Sequence, residues 1–166
     1  MSSGHAAFVG LGSNLNDPRK QVLDAIEALA GLPHTKVRAR SSLYRSIPIG
    51  YLEQPDFINA VVQLETMLSP RGLLDELLVL EAKRGRTREF RNAPRTLDLD
   101  VLLYDDLRYH EHHLAIPHPQ MHLRAFVLRP LLELAPDVFI PGVGRAAEAL
   151  LACEQQQLER VEDATG

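Results

Sequence analysis

The chain has 166 residues, 45% of them apolar and 24% charged, with a net charge of −4 and one cysteine, Cys153. Such a length and composition predict one soluble globular domain, residues 1–166, with a sizeable core and frayed termini at 1–5 and 159–166. They argue against a general nucleic-acid binder, which needs a basic face for counterion release, and rule out an internal disulfide. No apolar run approaches the ~18 residues of a membrane span, and Met1 to Ala7 lacks the regions of a signal peptide. The lone thiol fits a reducing compartment, so a monomeric cytoplasmic protein without membrane or nucleic-acid partners is expected.

Taken in chain order, Ala6 to Leu11 reads as a buried strand. The run Gly10-Leu11-Gly12-Ser13-Asn14 lacks the lysine and length of a P-loop and reads as a turn after that strand. Asn16-Asp17-Pro18 starts a helix, with a cap followed by proline at the first helical position. Val22, Leu23, Ile26, Leu29 and Ala30 supply its apolar face, and Gly31 stops it. Val37 to Ser46 and Phe57 to Thr66 alternate as strands, the second with Ile58, Ala60, Val62 and Leu64 toward the core. Ser69-Pro70 opens a second helix with Leu73, Leu74, Leu77, Leu78 and Leu80 on a broad apolar side. A strand carrying Asp98 follows. The order β-α-β-β-α-β is that of an α+β, ferredoxin-like antiparallel sheet with packed helices. Arg124 to Leu134 and Arg145 to Leu158 read as a C-terminal helical extension, and His110-Glu111-His112-His113 as an exposed hairpin loop rather than a metal site.

The most informative stretch runs from Arg91 to Tyr104. Strand alternation from Thr96 onward turns Leu97, Leu99, Val101 and Leu103 one way and Asp98 and Asp100 the other. Two such carboxylates stand roughly 6.6–6.8 Å apart along the strand, a spacing that can converge on Mg²⁺ shared with phosphates. Lys83, Arg84, Arg86, Arg88, Arg91 and Arg95 place six of the 18 cationic residues within 13 positions just upstream. An arginine run alone is usually a solvated face, and Asp-x-Asp often only ends a strand. Side by side they fit a polyphosphate, whose charge needs both metal and guanidinium forks.

Gly85-Arg86-x-Arg88 followed by Ala93-Pro94-Arg95-Thr96-Leu97-Asp98-Leu99-Asp100 resembles the signature of the 6-hydroxymethyl-7,8-dihydropterin pyrophosphokinases of folate biosynthesis. Further blocks match in order: Gly12-Ser13-Asn14-Leu15, Tyr44-Arg45-Ser46 with Gln54-Pro55-Asp56-Phe57-Ile58-Asn59, and Ile116-Pro117-His118 with Met121 and Arg124-Ala125-Phe126. The resemblance spans residues 6 to 145. It implies transfer of pyrophosphate from ATP to the hydroxymethyl group of the pterin, with two Mg²⁺ ions held by Asp98 and Asp100. It also implies a pterin stacked between Phe57 and Phe126, read at its edge by Asn59, with the Ser46 to Ile49 backbone completing recognition; stacking on two rings and a paired donor and acceptor suit a flat heteroaromatic. Glu81, Arg86, Arg88, Arg91, Arg95, Val101, His118 and Arg124 match ATP-side positions, Arg86 and Arg95 among them as catalytic groups with the two aspartates.

Two departures stand out: Ile47 replaces a common proline, and Asn92 replaces a tryptophan in a loop one residue shorter than usual. The loop from Lys83 to Pro94, rich in charge and poor in apolar residues, is expected to be mobile when empty and to close on triphosphate and Mg²⁺. Two rival readings use the same features. A non-catalytic ferredoxin-like module could bind nucleotide or RNA through the arginines, against which stand the acidic net charge and nine aromatics without a tryptophan. A metal-dependent phosphohydrolase could use the same Asp pair.

Overall fold

The computed structural model describes residues 4–14, 17–46, 56–83 and 97–161. In chain order these form β1 (His5–Ser13), α1 (Pro18–Leu29), β2 (Thr35–Arg40), β3 (Leu43–Ser46), β4 (Phe57–Thr66), α2 (Pro70–Lys83) and β5 (Asp98–Tyr104). A hairpin of β6 (Tyr109–Glu111) and β7 (Leu114–Ile116) follows, then a 3₁₀ turn at Met121–Leu123 and α3 (Ala125–Leu134). The chain ends with the short pair β8 (Phe139–Ile140) and β9 (Gly144–Arg145), helix α4 (Ala146–Leu151) and β10 (Leu158–Val161).

The main sheet runs β10-β3-β4-β1-β5, with β2 beside β3 on the same edge of β4, and every pairing is antiparallel. Treating β2 and β3 as one interrupted strand gives the ferredoxin-like arrangement. The interruption has a local cause. Ser41 N–H donates to the Val61 carbonyl (2.9 Å), and the Ser41 hydroxyl oxygen accepts the Val61 N–H (2.9 Å). A side chain thus replaces a ladder carbonyl, and the strand expected to be continuous from Val37 to Ser46 divides there. The Glu133 carboxylate on α3 then takes the Ser42 N–H and hydroxyl and the Tyr44 phenol (2.8 Å). Burial and that carboxylate push the Tyr44 hydroxyl up to about 12.

Helix α1 begins as its sequence dictates: the Asp17 side chain accepts from Lys20 N–H (3.4 Å), and Pro18 stands where no intrahelical N–H is needed. In α2 the Ser69 hydroxyl caps Gly72 N–H (3.0 Å). Both helices pack on one sheet face, where Ala7, Val9, Leu11, Ile58, Ala60, Val62, Leu64, Leu97, Leu99 and Val101 meet Val22, Ile26, Leu29, Leu73 and Leu77. Leu78, expected on the buried side of α2, is 44% exposed; the contact stripe is narrower than the run of leucines. The opposite face carries a second core, in which Phe8, Val61, Leu102 and Leu103 lie against Met121, Leu128 and Leu131. Each fully buried leucine in these cores contributes about 1.5–3 kcal/mol.

Three further expectations are corrected. The alternation of β5 holds through Val101 and then breaks. Phe8 is opposite Leu103 and Val9 opposite Val101, so Leu102 is an extra residue in a bulge. Leu102 and Leu103 both turn to the α3 face, and Tyr104 returns to the α1/α2 core. Gly10 and Gly12 are strand residues, not a turn. Finally, the expected helix from Arg145 to Leu158 ends at Leu151, and residues 158–161, expected partly as a frayed end, pair with β3 as the outer strand. An open β3 edge offers a full row of backbone partners, which outweighs local helix propensity.

Candidate active site

On the α3-side face, β1 presents two glycines in register with the polar residues of its neighbours. Gly12 lies opposite Asp98 on one side and Asn59 on the other; Gly10 lies opposite Asp100 and Val61. A Cβ on Gly12 would come within 3.1 Å of Asn59 Oδ1, and one on Gly10 within 3.4 Å of the Leu102 side chain. The glycines therefore form a floor without side chains, around which Asn59, Asp98 and Asp100 stand. Helix α3 covers this face only over its apolar half. Beyond Phe8 and Val61 no helix among the described residues covers the sheet.

The opening is a cavity of about 400 Å³ lined by Ser46, Phe57, Asn59, Asp98, Asp100, Arg124 and Phe126 over the Gly10–Gly12 floor, and closed on one side by Gln156, Gln157 and Leu158. Its size is that of a small-molecule site. Asn59 is buried, and its Nδ2 donates to Ser46 Oγ (2.8 Å), which fixes the amide and sets Oδ1 as an acceptor toward the floor. The Arg124 guanidinium carbon lies 5.6 Å from the Phe126 ring centroid, a cation–π contact at the start of α3. All seven of these lining side chains were expected at a ligand from the sequence, and the fold brings them together.

A second cavity of about 330 Å³ adjoins it, lined by Leu74, Leu99, Val101, His110, His113 and His118, with Asp100 bordering both. His118 owes its place to the β5 bulge, since its N–H donates to the Leu102 carbonyl (2.9 Å). Its Nδ1 accepts from Gln120 N–H (3.1 Å), so the neutral ring carries its proton on Nε2, available as a donor. Burial holds the imidazole below its usual 6.5, and the Arg124 charge adds to this against the opposing pull of Asp100. His118 is neutral near pH 7. Val101 belongs to the α1/α2 core and shows one side to this second cavity.

Glu81 lines neither cavity. It is buried at the end of α2, and its carboxylate accepts the Leu99 N–H (2.8 Å) on the free edge of β5. Leu99 lies between the two aspartates, so Glu81 fixes the strand that carries them. That bond also answers why an acid ends this helix against the dipole. The His110–His113 tract is part of an exposed hairpin, as expected, with His110 and Glu111 in β6 and His112 and His113 at the turn to β7. Among the described residues no group of three or more His, Cys, Asp or Glu side chains is assembled to hold a metal. Two carboxylates facing a cavity fit an ion shared with substrate phosphates rather than one held in a protein cage. Ile47, Ile49, Asn92 and the arginines 86, 88, 91 and 95, with the loop beyond Lys83, lie outside the described residues. Sequence reasoning missed the glycine floor, although Gly10 and Gly12 at a spacing of two within a strand were its signal. It had no signal for Gln156.

The family model of 7,8-dihydro-6-hydroxymethylpterin-pyrophosphokinase matches residues 8–136. The chain belongs to this family. A 2-amino-4-hydroxy-6-hydroxymethyldihydropteridine pyrophosphokinase of Pseudomonas aeruginosa is 46% identical over 154 residues, covering 93% of this chain and 95% of that protein. One of Methylorubrum extorquens is 44% identical over 156 residues, covering 94% and 98%. The fold matches a Plasmodium falciparum HPPK-DHPS structure with pteroate at a TM-score of 0.71 and 12% identity, covering 92% of this chain. The chain spans 45% of that longer one, and the likeness speaks to the fold. Both cavities lie within elements of the family-matched region except for the wall at 156–158.

Proposed function

We propose that the protein transfers the terminal diphosphoryl group of ATP to the hydroxymethyl oxygen of 6-hydroxymethyl-7,8-dihydropterin, releasing AMP, as a step of folate biosynthesis. The hydroxymethyl oxygen forms a bond to the β-phosphorus of ATP, the bond from that phosphorus to the oxygen bridging it to the α-phosphorus breaks, and the hydroxyl proton is released. The observation that carries this reading is the pair of adjoining cavities bordered by one carboxylate, Asp100. In the first, Phe57 and Phe126 would stack on the pterin while Asn59 reads its edge with an amide already held by Ser46. The nucleotide would occupy the second, with Leu74, Leu99 and Val101 against its base and His118 Nε2–H donating to a phosphate. Arg124, placed between Phe126 and His118, would bind phosphate at the boundary. The arginines at 86, 88, 91 and 95 would bind the triphosphate, as the sequence resemblance implies, Arg86 and Arg95 nearest the reacting phosphorus.

Asp98 and Asp100 would hold two Mg²⁺ ions. When bound with the nucleotide, these supply charge neutralisation and alignment of the phosphates. The chain's own contribution is to fix both substrates and to keep water from competing with the pterin hydroxyl, so catalysis rests on positioning and electrostatics. No helix among the described residues is long and apolar enough to cross a membrane. The protein would act as a cytoplasmic monomer on small molecules, and its acidic net charge disfavours nucleic-acid partners.

Incubation with ATP, MgCl₂ and the pterin, followed by phosphorus NMR, tests the reading. AMP and a pterin diphosphate are expected, with loss of turnover on chelation and recovery with Mg²⁺. ADP, or free phosphate without pterin modification, would overturn it in favour of a phosphohydrolase. Binding of nucleotide without turnover would favour the non-catalytic module.

A further inference from the structure

The wall formed by Gln156, Gln157 and Leu158 comes from a part of the chain beyond the family-matched residues 8–136. It is bonded to both sides of the first cavity. On one side, the Gln156 amide is used at both ends: its Oε1 accepts the Ala125 N–H (2.8 Å), and its Nε2 donates to the Leu123 carbonyl (2.8 Å). Ala125 opens α3, and its N–H is one of the donors a helix cannot satisfy within itself. Arg124, at the cap position, makes no side-chain cap bond. Gln156 therefore supplies from 31 residues away the partner that the local sequence lacks. The two bonds bracket Arg124 and end one residue before Phe126. On the other side, Leu158 pairs with Ser46, whose hydroxyl accepts the Asn59 amide (2.8 Å).

We propose that this C-terminal segment sets the width of the aromatic slot, with Gln156 as a positioning residue for Phe126. The inference rests on the reading of the first cavity as the pterin site. A short strand pinned to β3 at one end and to the start of α3 at the other fixes the distance between the ring wall and the amide wall. Without the Gln156 clip, the first turn of α3 loses a tether and Phe126 can swing away from the ring it should cover. Gln156 itself touches no reacting atom.

A double-mutant cycle on the full-length protein, with pterin and ATP affinities measured separately by calorimetry, tests this. Phe126→Ala first checks the underlying reading: an effect on pterin affinity within about twofold would mean that the cavity is not the pterin site, and would overturn both. If Phe126→Ala weakens pterin binding, Gln156→Ala is expected to weaken it by about tenfold, the scale of the hydrogen bonds removed, with a smaller loss of ATP affinity through Arg124, which the same bonds bracket. In the Phe126→Ala background the same change should add less than about twofold, because the ring it positions is already gone. Full additivity, equal losses for pterin and ATP, or no loss at all would overturn the proposal while leaving the pterin site standing. Should Gln156→Ala fail to fold, Gln156→Glu keeps the volume and the acceptor for Ala125 N–H, and replaces the donor to the Leu123 carbonyl with a charged oxygen. Its pterin affinity should then fall below wild type, again only when Phe126 is present, and wild-type affinity would count against the proposal.

Discussion

The two faces of the central sheet use the same strands for opposite purposes. Under α1 and α2, Ala7, Val9 and Leu11 of β1, Ile58 to Leu64 at every second position of β4, and Leu99 and Val101 of β5 form a buried apolar face. One residue away on each strand, the α3-side face carries Gly10, Gly12, Asn59, Asp98 and Asp100, and α3 covers only the apolar half beside them. Because strand side chains alternate, one stretch of sequence can specify a core and a site together, with one face rigidly packed behind polar groups that must not move. The site is thus made as much by side chains withheld at the glycines as by those supplied.

Truncating neighbours that face opposite ways should separate the two roles most strongly. Asp98→Ala or Asp100→Ala should reduce turnover by more than about a hundredfold, roughly 2.7 kcal/mol, while thermal stability barely changes. Leu97→Ala, beside Asp98 but in the core and lining neither cavity, should do the reverse in kind and lower unfolding free energy by about 2–5 kcal/mol. Aspartate variants within about tenfold of wild-type turnover would remove both carboxylates from essential metal binding.

A smaller effect is expected where the faces are coupled through the strand edge. Glu81→Leu leaves the buried Leu99 N–H without its acceptor, which should cost about 1–3 kcal/mol of stability in denaturant titrations and lower kcat through misplacement of the flanking aspartates. Glu81→Gln keeps an acceptor oxygen and should recover most of both. If Glu81→Leu lost stability and kept full kcat, the carboxylate would serve folding alone.

Smaller again is Gly12→Ala. Its new methyl would press on Asn59 Oδ1, and we expect a loss of pterin affinity of up to about tenfold with about 1 kcal/mol or less of destabilisation. Unchanged pterin binding would show that the bare floor is not needed for the amide's placement.

The least effect concerns pH. His118 is held below its ordinary 6.5 chiefly by burial, so the unfolded chain takes up a proton that the folded one resists. Stability should therefore fall as pH drops through the window below about 6.5, and His118→Asn should flatten that slope. Denaturation midpoints at about pH 7.5 and about pH 5.5 would show it; an identical slope in the variant would place the imidazole in solvent.

Much of this was legible in the chain, and what was not shares a physical cause. Alternation in Phe57–Thr66 and Leu97–Val101 identified both faces, and helix α1 announced itself through Asp17 and Pro18. The bulge at Leu102 was hidden because Val101-Leu102-Leu103-Tyr104 is apolar throughout, and a run buried on both faces has no period to read. The break at Ser41 depends on a hydroxyl that meets Val61 across the sheet, and β10 exists because β3 offers an edge. Such features belong to the partner as much as to the residue. The same holds for Gln156, an ordinary member of a polar run until α3 is seen to lack a cap. At the site, the alternation picked out Asp98 and Asp100, and the family resemblance pointed to Phe57, Asn59 and Phe126. The glycines between them were mistaken for a turn, since their use is visible only against Asn59 and Leu102.

A crystal structure with hydroxymethylpterin, Mg²⁺ and a non-hydrolysable ATP analogue would show whether both substrates meet on the open half of the α3-side face. The pterin is expected between Phe57 and Phe126 with its edge at Asn59, metal on Asp98 and Asp100, and the nucleotide beside His118 and Val101. A pterin bound away from the Gly10–Gly12 floor, or phosphates that leave the two aspartates without metal, would contradict this placement.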